Sequence, residues 1–128
     1  MESEHPGRAG RILDLVREER RATLRTRTIT VSLVSALNDY ARSVGRDAAT
    51  DDERILLRRA WCEHALQMLQ DVRVANLRAR EVARRVTAAI HDEGAIVDLS
   101  ELEAARRDAD VTMTRGEETA RRWLDLAG

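Results

Sequence analysis

Residues 61–89 read WCEHALQMLQDVRVANLRAREVARRVTAA, and their spacing decides the fold. Alternating steps of four and three from Trp61 reach Ala65, Met68, Val72, Ala75, Ala79, Val82, Val86 and Ala89, and no polar residue falls among these nine. Such spacing keeps one face of an α-helix apolar, as in a coiled-coil seam. Four of the nine are alanine, so a neighbouring helix can approach closely while methionine and valine fill the layers between.

Working outward, Thr50-Asp51-Asp52-Glu53 is a capping box that opens this helix, with acids at its positive end. Gly94 follows its last periodic residues, where a left-handed glycine closes a helix. The spacing therefore predicts a second helix over about 51–91. A first helix over about 11–44 carries a stripe through Ile12, Leu15, Glu19, Ala22, Thr26, Ile29, Leu33, Ala36 and Tyr40, ending before Gly45. A third over about 99–126 opens with the same box at Ser100–Glu103 and continues through Leu102, Arg106, Ala109, Met113, Gly116, Ala120 and Trp123. Residues 28–34 alternate as a strand does, but Ile29 and Leu33 stay in phase with the helical stripe, and an isolated strand has nothing to pair with. Thr114–Glu117 resembles another capping box, yet the phase runs unbroken across Gly116.

Short connections make successive helices antiparallel. The fold class is all-α: an elongated antiparallel three-helix bundle with coiled-coil-like seams over 11–128, preceded by a flexible tail at 1–10. The apolar ends of all three helices then meet, and Tyr40, Trp61 and Trp123 form one aromatic cluster. The second helix, at about 40 residues, is roughly 60 Å long, so the bundle is a rod.

At 128 residues the chain is one domain, and 43% hydrophobic with 35% charged residues is too apolar for disorder and too charged for a membrane protein. Its three aromatics fit poorly with a β-sandwich or barrel. The first ten residues lack the basic-then-apolar order of an export signal. Cys62 is the only cysteine, which fits a reducing, cytoplasmic setting.

Motifs for chemistry are sparse. There is no Gly-rich phosphate loop, CxxC pair or HExxH pattern, and neither a cofactor nor a metal is expected. His91-Asp92-Glu93 reads as a polar last turn, since consecutive helical side chains point apart. Glu63 and His64 splay from Cys62 for the same reason, leaving a buried structural thiol as the simpler reading.

Three constellations remain. Ile55, Leu56, Leu57, Leu66 and Leu69 make the start of the second helix apolar all round, more than one bundle interior can cover. They form an expected interaction surface for a homo-oligomer or a helical protein partner. Secondly, all 22 basic residues are arginine in a chain of net charge −1, and Arg17, Arg21, Arg25, Arg73, Arg80 and Arg84 gather at one end of the rod. That end is a possible anion or nucleic-acid face, opposed by five acids on the third helix between Asp98 and Asp110. Finally, if position i of the first helix lies beside 97 minus i of the second, Glu19 falls at the level of Arg78. The two would be a register pair, or would line a polar pocket with Arg106 suited to carboxylate ligands. Taken together, these features point to a non-enzymatic protein-interaction module with no membrane span. A phosphate-backbone binder and a small bundle enzyme or ligand binder with an arginine pocket are the alternatives.

Overall fold

The computed structural model describes residues 4–47 and 50–127 as three helices: α1 (Glu4–Asp47), α2 (Asp51–Glu93) and α3 (Ser100–Ala127). Among the described residues there is no strand, and residues 28–34 lie inside α1. The first helix begins seven residues ahead of the expected Arg11, with Pro6 in its opening turn, where a missing N–H costs nothing. Residues 1–3 of the expected tail lie outside the described residues.

The predicted caps hold at α2. Thr50 is extended (φ −127°, ψ 160°) and accepts from the Glu53 N–H at 3.2 Å, while Gly94 is left-handed at φ 60° and its N–H returns to the His91 carbonyl. Gly45 does not end α1, which runs through it to Asp47; one helical glycine costs only about 1 kcal/mol against alanine, too little to stop a helix. At α3, Ser100 lies inside the first turn instead of before it. Its N–H and hydroxyl both donate to Asp98 Oδ1, at 3.0 and 2.7 Å, and these bonds hold the Asp98 carboxyl below its ordinary value of 3.8.

The seam of α2 is the core: Ala65, Val72, Ala75, Ala79, Val82, Val86 and Ala89 are buried, joined by Leu69. α1 and α3 run parallel, both antiparallel to α2, and α3 leans on α1 more than on α2. Leu33, Leu37, Ala65, Leu69, Val72 and Ala120 make an apolar cluster, with Trp123 packed against it. Tyr40 stacks on Trp61 with centroids 5.1 Å apart and meets Trp123 edge-on at 6.1 Å, which is the expected aromatic cluster.

Beneath α3 the floor is polar. Glu19, Thr23, Thr26 and Thr30 of α1 are all buried. Thr26 and Thr30 donate to carbonyls of their own helix, Ala22 and Thr26, at 3.1 and 2.7 Å, so they present methyl groups outward. Gly116 sits on Thr30, and a Cβ there would fall 2.3 Å from the threonine methyl. The helix is continuous across Gly116, and the close contact with Thr30 leaves room there for hydrogen alone.

Gly116→Ala adds helix propensity yet lowers the melting temperature, because overpacking costs about 1–3 kcal/mol. Thr30→Ser removes the obstructing methyl, and in the double variant thermal unfolding recovers part of the loss. Ser100→Ala moves the Asp98 carboxyl back up toward 3.8, read by NMR titration. The support Asp98 gives α3 is complete above that ordinary value and fades as pH falls through the lowered one.

Candidate functional site

Among the described residues Glu19 is the one buried charged side chain. Glu19 is 1% exposed, and Arg106 of α3 donates to both its oxygens, from Nε and Nη2, in a bidentate fork. The bond and the carboxylate charge hold the guanidinium pKa above its ordinary value against the cost of burial. Arg78 is not the partner. It lies at the anticipated level on α2 but faces the other side of α1, lining a groove with Glu18, Arg21 and Arg25. Level along a rod follows from residue spacing; the direction a side chain faces depends on where the third helix sits. Arg80, two residues on and about 200° round the helix, takes the anticipated place of Arg78. It lines a space of about 110 Å³ with Glu19, Thr23, Asn76, Arg106 and Asp110.

The six arginines expected as one anion face are not brought onto one surface. Arg17 pairs with Asp14 at 4.0 Å, Arg73 with Glu117 at 3.9 Å, and Arg84 with Glu81. Arg80 faces the α2–α3 side, whereas Arg21 and Arg25 face the α1–α2 groove. Arg27, outside that set, bonds Asp108 of α3 at 3.0 Å, one of the acids expected to offset the basic end.

The expected interaction surface divides differently. Leu69 is buried at 5% exposure, because α3 places Ala120 in the same cluster, and Leu57, one turn before Trp61 on the seam side, is half-buried. Ile55, Leu56 and Leu66 stay open at 54, 66 and 53%. The reading of the sequence missed Val74 and Leu77, which are also more than half exposed. Ile55, Leu66 and Leu77 are eleven residues apart, a spacing that drifts only about 20° per step on a straight helix. They line up for roughly 33 Å along the outer side of α2, opposite the alanine seam. An eleven-residue periodicity search alongside the four-three one would have found the stripe.

Cys62 is half-buried among Leu37, Tyr40, Trp61 and Trp123, an apolar setting that supplies no base. His64 is exposed and meets the Trp61 ring edge-on at 5.6 Å. His91 and Asp92 are exposed in the last turn of α2. Among the described residues no cluster of three or more His, Cys, Asp or Glu side chains is placed to hold a metal, and no helix is long and apolar enough to cross a membrane.

No protein-family model, curated protein or solved structure matches the chain.

Breaking a buried ion pair from one side costs about 3–5 kcal/mol, with the lower end expected here because the Arg106 side chain is 30% exposed. Glu19→Ala therefore lowers the melting temperature by roughly 10 °C. Glu18→Ala, on the groove beside it, changes it little. The double variant Glu19→Leu/Arg106→Met loses less than either single change, since no charge is then stranded. Thermal unfolding of the double variant, its two component single variants, Glu19→Ala and Glu18→Ala beside the wild type tests the set.

Proposed function

We propose that this chain is a non-catalytic association module that pairs with a second copy of itself through the outer face of α2. The observation that carries the reading is the aligned stripe of Ile55, Leu66 and Leu77. Leu66 lies midway, so an antiparallel two-fold contact sets Leu66 against its own copy and Ile55 against the partner's Leu77. A surface that matches itself in this way meets the requirement of an isologous dimer.

Surface area supports the reading as well. The chain exposes 9198 Å² where a compact protein of 14.5 kDa exposes about 6,900 Å². A rod this thin has surface to spare for an interface, which typically takes about 800 Å² from each partner.

The same two-fold axis brings Arg59 and Arg73 of opposite copies together, and their repulsion is screened by salt. Arg73 is also answered by Glu117 of its own chain, so pairing through the apolar stripe survives high salt, whereas phosphate-backbone binding weakens.

Light scattering over a concentration series tests the proposal. The expected result is a mass of twice 14.5 kDa that persists at high salt, with Leu66→Glu returning the monomer at unchanged helicity. A wild-type chain that stays monomeric at every concentration overturns it, as does a Leu66→Glu chain that pairs as well as the wild type.

A further inference from the structure

The α1–α2 groove is a separate surface from the outer stripe. It holds about 950 Å³, with Ala22, Ile29, Val74 and Ala75 as an apolar floor and Arg21, Arg25 and Arg78 converging from its two walls. In the same half of the rod, Arg17, Arg27, Arg73, Arg84, Arg85 and Arg106 each have an acidic partner. The three groove arginines form no ion pair among the described residues, although Glu18 and Asp71 also line the groove. Arg11, Arg20, Arg80 and Arg107 of this half form no ion pair among the described residues either; what sets Arg21, Arg25 and Arg78 apart is that all three line one groove together with Ala22, Ile29, Val74 and Ala75.

We propose that this groove receives an acidic amphipathic helix from a different protein. The charge pattern selects that occupant. From Glu18 to Ile29 the floor extends about 16 Å, room for three turns of helix. Aliphatic side chains one turn apart can rest on the alanine and valine floor, with carboxylates on the flanks meeting the guanidinium forks. The two alanines allow a backbone to approach closely.

Nucleic acid fits less well. Its phosphates are continuous and would run past Glu18 and Asp71, whereas a helix can place discrete carboxylates away from them; the groove also offers no aromatic ring for a base to stack on. A second copy has no suitable helix to offer, because α3, with its acidic first half, packs its apolar side onto its own α1.

The test uses a fluorescein-labelled helical peptide of four turns, with leucine at positions i, i+4, i+7 and i+11 and glutamate on both flanks, followed by anisotropy. Three companions are a version with every glutamate made glutamine, a version with every leucine made alanine, and labelled random-sequence duplex DNA. Each is measured against the full chain, its Leu66→Glu variant, the groove variant Arg21→Gln/Arg25→Gln/Arg78→Gln and the distant control Arg121→Gln/Arg122→Gln.

The expected result is binding of the acidic leucine peptide that falls at least tenfold for either altered peptide and for the groove variant, while the distant control binds as the wild type does. Equal binding of the glutamine peptide overturns the charge selection. Equal binding of the alanine peptide, or tighter binding of DNA, makes the groove a general polyanion face and overturns the proposal. No binding of the acidic peptide to the wild type also overturns it. The Leu66→Glu variant separates this inference from self-pairing: peptide binding that survives there stands even if the wild-type chain proves monomeric.

Discussion

A carboxylate taken out of water has to be answered, and in this chain the answer positions a helix. Glu19 is almost wholly enclosed, its charge tied on two sides to the Arg106 fork. Moving α3 by one turn along α1 would strand that charge, so the pair acts as a stop on the sliding that long, repetitive helices otherwise permit. The contact of Gly116 with Thr30, ten residues further along α3, brings the two helices close at a second point. The hydroxyls of Thr26 and Thr30 are satisfied within their own helix, so they ask nothing of α3.

With α3 held against α1, the duties of α2 divide. Its inner side is short and aliphatic, letting α1 come close. Its outer side is neither short nor wholly polar, and Ile55, Leu66 and Leu77 there stay more than half exposed. The proposed pairing uses that outer side, and the proposed receptor groove lies where α2 meets α1. Self-association and capture of a partner would then occupy different surfaces, which suits a scaffold that has to do both at once.

The core of α2 was legible because periodicity alone specifies an inward face, and seven of the nine seam residues are buried. The caps at Thr50 and Gly94 were legible because each has a local hydrogen-bonding reason. What the sequence could not convey is the angle from which the third helix approaches. Leu69 looked like part of an outer surface and is core, Arg78 looked like the partner of Glu19 and faces away, and the arginine-rich end is dispersed over several faces. Each misreading has one cause, the flank on which α3 packs, and that choice depends on Arg106 and Gly116 finding Glu19 and Thr30 from the far end of the chain.

The preference of α3 for α1 also sets the order in which the molecule can be built. The Glu19–Arg106 pair joins residues 87 apart in a chain of 128, whereas the aromatic contact of Tyr40 with Trp61 spans a short turn. Closing the longer loop costs more chain entropy before any contact repays it. Chain entropy alone therefore favours an α1–α2 hairpin as the first step, with α3 docking later onto α1, where Thr26 and Thr30 already bond their own helix. During synthesis the alanine seam is covered when α2 pairs with α1, whereas Leu33, Leu37, Leu69 and Val72 keep an open side until Ala120 and Trp123 of the final helix arrive.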